Sequence, residues 1–208
     1  MTDDGHGAAF RRAASRTDLA RVTETVTLAF GDDPTWSPLL SPAGTLDAAR
    51  EYWRFFIDSA QRYPWAFTND EGSVAAVWYP PGATELTPDE EERFPSVARC
   101  LLGNARATEL LEAVDRFEAA TPSGEFFYLS LLAVHPSRRG QGLGMQLLAE
   151  TLQEIDALGV PSYLESSNPA NDAKYERLGY RRHGSFTIPS GLELTTMWRD
   201  PSPSTVAM

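Results

Sequence analysis

The sequence predicts a single α/β domain built on a mixed β-sheet, and three observations carry that reading. Strand-like and helix-like stretches alternate in the order β-α-α-β-β-α-β-α-β-α-β-β. Near the middle, an apolar run, a basic glycine-rich loop and an amphipathic pattern follow one another without a break. The chain then closes on two short runs joined by Pro189-Ser190-Gly191, which read as antiparallel strands. A length of 208 residues is most simply one domain, long enough to bury a real core.

Taken in order, residues 1–7 are expected to be disordered, residues 8–200 to form the domain, and residues 201–208 to be a tail. Ala8 to Ala13 reads as a first strand. Ser15, Thr17 and Asp18 offer caps to a helix whose apolar face holds Leu19, Val22, Val26, Leu28 and Phe30. Gly31-Asp32-Asp33-Pro34 ends that helix, and Thr35 to Thr45 reads as a loop carrying Trp36. A second helix follows, with Ala48, Tyr52, Phe55, Phe56 and Ala60 at helical spacing. Trp65 to Thr68 and Val74 to Trp78 flank a turn and read as a hairpin. Residues 84–120 read as one or two helices, expected to be a solvated covering layer.

The central stretch bears the chemistry. Phe126 to Val134 is strand-like, His135-Pro136-Ser137 breaks it, and Arg138-Arg139-Gly140-Gln141-Gly142-Leu143-Gly144 comes next. Leu143, Leu147, Leu148, Leu152, Ile155 and Leu158 then recur at helical spacing. Glycines let a ligand approach the backbone, and the unpaired N–H groups of a helix start attract anions, so this unit suits a phosphate. It is no P-loop, because neither the lysine nor the spacing is present. A dinucleotide fingerprint fits poorly, since polar residues separate the strand from the first glycine.

The run Arg139-x-x-Gly142-x-Gly144 resembles the pyrophosphate loop of the GCN5-related N-acetyltransferases, the GNAT family. Asn168-x-x-Asn171-x-x-x-Tyr175-x-x-x-Gly179-Tyr180 is similar to a second element of that family. Gly-Val-Pro at 159–161, Leu-Glu-x-Ser at 164–167 and Tyr-Glu-Arg-Leu-Gly at 175–179 most resemble the puromycin N-acetyltransferase-like members. The likeness covers roughly residues 125–200. It implies a GNAT-type domain with helices flanking a mixed sheet whose parallel central strands splay apart, acetyl-CoA as cofactor, and a primary amine as acceptor.

By that resemblance the backbone of Leu132, Ala133 and Val134 pairs with the pantetheine arm. The amides of Arg139, Gly140, Gln141, Gly142, Leu143 and Gly144 surround the pyrophosphate, with charge from Arg138 and Arg139. Tyr175 matches the family tyrosine that protonates the leaving thiolate; a core aromatic is the plain alternative. Glu165, at the end of its strand, is the candidate base, or else pairs with an arginine. Asn168 and Asn171 contact pantetheine or cap a helix, and Asn171 stands where many members have alanine. Asp32, Asp33 and Trp36 would suit a cation with a flat or apolar body, since carboxylates attract the ammonium and the ring stacks on it; turn-forming and core roles are the alternative.

Composition bounds the rest. A net charge of −11 argues against nucleic acid, which needs a basic face, and is compatible with a small cationic substrate. The single Cys100 permits no intrachain disulfide and is expected to be buried or half-buried. No apolar run reaches membrane-spanning length and the N-terminus is no signal peptide, so a cytoplasmic enzyme with a small-molecule partner, a monomer or homodimer, is expected. No His, Cys and carboxylate set has metal-ligand spacing, and no G-x-S-x-G elbow is present. Two other readings stay open: a non-catalytic acyl-CoA sensor of the same fold, and a nucleotide-dependent oxidoreductase. Retention of Tyr175 and Glu165 speaks against the first, and the arginine-bearing loop against the second.

Overall fold

The structure, a computed structural model, describes residues 9–41 and 46–202. The expected disordered start and residues 203–208 of the expected tail lie outside them. The strands are β1 (Phe10–Arg12), β2 (Ala66–Asn69), β3 (Val74–Tyr79), β4 (Phe127–Val134), β5 (Ser162–Ser166), β6 (Arg181–Thr187) and β7 (Glu193–Arg199). The helices are α1 (Arg16–Phe30), α2 (Trp36–Leu40), α3 (Asp47–Ala60), α4 (Pro88–Leu102), α5 (Asn104–Ala120), α6 (Leu143–Ala157) and α7 (Asp172–Glu176). The strands form one mixed sheet in the order β1-β2-β3-β4-β5-β7-β6. Its single parallel pair among the described residues is β4 with β5.

The sheet separates two cores. Leu147, Leu148 and Ile155 of α6 are fully buried against Val74, Ala76 and Trp78 of β3, each contributing about 1.5–3 kcal/mol of burial. On the other face Val22 and Val26 of α1 and Tyr52, Trp53 and Ile57 of α3 pack on Ala75 and Val77. The Trp78 indole N–H donates to Thr151 Oγ1 at 3.2 Å, so this fully buried ring also satisfies its polar atom.

One irregularity shapes the middle of the sheet. β3 pairs Trp78 with Leu129 and Val77 with Leu131, which leaves Ser130 as an extra residue on β4. Such a bulge bends its strand and reverses which side chains face which layer. Accordingly, Phe127 and Leu129 belong to the core under α6, whereas Leu131 and Ala133 belong to the core under α1 and α3. Pairing of β4 with β5 stops at Tyr128 and Tyr163, just before the bulge. The parallel strands therefore part there and leave a gap.

Three expectations need correcting. The stretch read as a loop after Pro34 contains α2, because Asp33 Oδ1 accepts from the N–H groups of Thr35 (2.9 Å) and Trp36 (3.1 Å) and so starts a helix. Cys100 is exposed, since the apolar stripe of α4 passes through Phe94 and Ala98 instead. Residues 84–120 form two helices, divided at Gly103 with φ +75°, and they wall a cavity rather than only covering the core.

Candidate active site

The gap between β4 and β5 opens into a cavity of about 990 Å³. Its floor at one end is Leu132, Ala133 and Val134, followed by the turn to α6. Gly142 stands at the N-cap of α6 with φ +76°, a left-handed conformation that strains any other L-residue. No side chain caps this helix start, so its leading N–H groups face outward. A Cβ on Gly144 would lie 3.0 Å from Val134 Cγ2, so glycine is what lets α6 sit this close to β4. Gly140, Gly142, Leu143 and Gly144 line the cavity, whereas Gln141 is exposed and outside its lining.

Both loop arginines border the same end. Arg139 forms two hydrogen bonds to Asp32, at 2.6 and 2.8 Å, and a third to the Ala29 carbonyl at 2.9 Å. The guanidinium holds the Asp32 carboxyl below its usual range. Arg138 lies 3.3 Å from Glu71, and its Nε is buried without a hydrogen-bond partner. An orphaned donor, a glycine cradle and an uncapped helix start fit a pyrophosphate in charge and shape.

The other predicted residues gather where β5 ends. Glu165 lies two residues past the last β4–β5 pair, and its Oε1 is buried without a hydrogen-bond partner. Burial pushes its carboxyl up to about 8, and the Tyr128 and Tyr163 hydroxyls beside it offset part of that rise. The Tyr163 hydroxyl also donates to the Ala120 carbonyl at 3.1 Å. Tyr175 projects from α7 into the cavity with its ring edge-on to Tyr180. Burial pushes its phenol up, so the hydroxyl stays protonated near neutral pH. Asn168 Oδ1 accepts from the Ala170 N–H at 3.0 Å and Asn171 Oδ1 from Lys174 Nζ at 2.8 Å, and both residues line the cavity.

Asp32, Asp33 and Trp36 also line this cavity. Their carboxylates already have protein partners: Asp32 carries Arg139, and Asp33 starts α2 while accepting from Ser167 Oγ at 2.9 Å. Trp36 stacks on Phe117 at 5.4 Å and meets Trp53 edge-on at 5.2 Å, so it forms part of an aromatic wall. Tyr52, Phe56 and Phe94 extend that wall from α3 and α4. Among the described residues no group of His, Cys, Asp and Glu could hold a metal ion, and no helix is long and apolar enough to cross a membrane.

Residues 109–200 match the model of the family described as an acetyltransferase (GNAT) domain. Over that stretch the chain is similar to a GNAT acetyltransferase domain. With that likeness goes the enzyme class, an N-acetyltransferase. Solved structures agree on the fold across nearly the whole chain. A histone acetyltransferase HPA2-related acetyltransferase from Corynebacterium glutamicum superposes with a TM-score of 0.63 at 22% identity, covering 95% of this chain and 98% of the other. Arylalkylamine N-acetyltransferase 2 from Aedes aegypti gives 0.68 at 11% identity, over 93% and 99%. A NatC complex bound to a Gag peptide and CoA gives 0.55 at 11% identity, over 93% and 98%.

The cavity also holds groups that sequence patterns do not single out. Glu85 sits between β3 and α4 and lines it, held by the Ser130 hydroxyl. No motif marks Glu85, because its partner in the fold, Ser130 at the bulge in β4, lies forty-five residues away. Tyr128 is legible only as a strand residue, although it stands at the last pair before the gap.

Proposed function

We propose that this protein transfers an acetyl group directly from acetyl-CoA to a primary amine of a small cationic molecule with an apolar or aromatic body. The observation that carries this reading is the parting of β4 from β5 after two pairs, with an anion-suited loop at one end and the Glu165 carboxyl and Tyr175 hydroxyl at the other. Bound acetyl-CoA would supply the acetyl group as a thioester. The backbone of Leu132 to Val134, freed from β5, offers hydrogen bonds to the amides of the pantetheine arm. The N–H groups from Arg139 to Gly144 take the pyrophosphate, with charge from Arg138 and Arg139. Asn168 and Asn171 flank the pantetheine. Glu165 takes the proton of the arriving ammonium, and Tyr175 gives its proton to sulfur as the acyl group leaves. Trp36 offers its ring to the acceptor body, while Asp32 and Asp33 hold the wall behind it. The sequence likeness to the puromycin N-acetyltransferase-like members supports an antibiotic-like amine.

Thermal melting tests the cofactor. Acetyl-CoA at a hundred times its Kd should stabilise the fold by about 2.7 kcal/mol, and NAD should not. Stabilisation by NAD alone would overturn the reading.

The raised carboxyl of Glu165 also has a consequence for stability. Its folded-state pKa, about 8, lies above the ordinary value of 4.5, so the folded chain binds that proton more tightly between those limits. Stability from the neutral carboxyl is complete below about 4.5 and is lost as pH rises through 8. Glu165→Gln should therefore gain stability over wild type on going from pH 5 to pH 9, on the order of 2–4 kcal/mol. A difference in Tm that is the same at both pH values would show that Glu165 is not held in a costly environment.

A further inference from the structure

The charges around the cavity are segregated. Its basic residues, Arg138, Arg139 and Lys174, all stand at the loop and α7 end, and each has a protein partner: Glu71, Asp32 and Asn171. The opposite arm carries Glu85, Glu91, Asp115 and Glu118, and none of these four makes an ion pair among the described residues. Between the two arms lies the Glu165 carboxyl, with Oε1 buried and unpartnered. Glu85 and Glu165 are related by the sheet itself. Continuing the parallel register from Tyr128 and Tyr163 sets Ser130 level with Glu165 across the gap. The bulge leaves Ser130 unpaired to β3, and its hydroxyl donates to Glu85 Oε1. Two carboxyls therefore border one opening, one from each side, with no cation between them.

We propose that Glu85 is the specificity residue for the acceptor: the ammonium lodges between Glu85 and Glu165, so the protein selects a primary amine on an aromatic or apolar body that bears no carboxylate beside the nitrogen. The proposal rests on the acetyltransferase reading and adds the substrate class to it. Burial raises both carboxyls, a cost that stands while no cation is present and is relieved when an ammonium arrives. The same pair repels a carboxylate on the α-carbon of an amino acid, which would sit within reach of both. Tyr52, Phe56, Phe94, Phe117 and Tyr128 supply the apolar walls for the rest of the molecule. Glu85 does not take the proton in this scheme. It orients the nitrogen while Glu165 acts as base.

The test uses three probes of one shape: 2-phenylethylamine, phenylalaninamide and phenylalanine. Wild type should acetylate the first two and disfavour phenylalanine by roughly a hundredfold or more in kcat/KM. Glu85→Gln should raise KM for 2-phenylethylamine on the order of ten- to a hundredfold, with kcat within about threefold. Its discrimination against phenylalanine should shrink, and its acetyl-CoA affinity should match wild type. Ser130→Ala, which keeps the charge and removes only its anchor, should raise KM less and keep the discrimination. Wild-type discrimination in Glu85→Gln, or equal use of phenylalanine by wild type, would overturn the proposal while leaving acetyl transfer intact. Binding of acetyl-CoA with no transfer to any amine would instead overturn the acetyltransferase reading beneath it, and this proposal with it.

Discussion

Tyr175→Phe should lower turnover on the order of 10²–10⁴-fold while acetyl-CoA binds as in wild type. The change removes one oxygen and leaves the ring packed against Tyr180. Because burial keeps the phenol protonated, the hydroxyl is available as a donor across the neutral range. It makes no hydrogen bond among the described residues, so its loss strands no internal partner. Unchanged turnover, measured as free thiol released per enzyme, would make Tyr175 a packing residue only.

Gly142→Glu should abolish measurable acetyl-CoA binding while the fold survives. A Cβ at Gly142 has room, its nearest neighbour being Gln146 Nε2 at 3.6 Å, so the strain is that of a left-handed residue, about 1–2 kcal/mol. The added carboxylate would face the uncapped start of α6 and oppose a pyrophosphate there. Gly144 is a poorer test, because its Cβ would press on Val134 and disturb the packing of α6 on β4. Calorimetry on Gly142→Glu and Gly142→Ala separates charge from strain, and the alanine protein should keep most of its affinity. Intact binding by the glutamate protein would place the pyrophosphate elsewhere.

What was legible in the sequence was local. The seven strands, the central helix and the glycine loop each announce themselves by periodicity or punctuation within a dozen residues. The capping box of Ser15 and Asp18 formed as its residues implied. What escaped depends on pairs distant in the chain. The Ser130 bulge is invisible in an unbroken apolar strand, because it is set by the register of β3 on β4. Glu85 borders the cavity from the loop before α4, where the hydroxyl of that bulged residue bonds it. The helices at 88–120 are rich in acids, which resembles a solvated layer, yet Phe94, Val114 and Phe117 line the cavity with Glu91, Asp115 and Glu118 beside them. In the sequence Asp33 reads as a ligand for a cation or as the start of a turn before Pro34, and in the fold it accepts from the N–H groups of Thr35 and Trp36 at the start of α2.

Acetyl transfer itself is tested most directly by mass analysis of a primary amine incubated with the protein and acetyl-CoA, with free thiol counted in the same sample. One acetyl group should appear on the amine nitrogen for each thiol released, with little release when the amine is left out. Thiol release that does not depend on the amine, or acetyl-CoA binding with no acetylated amine across a broad set of small cations, would contradict direct transfer.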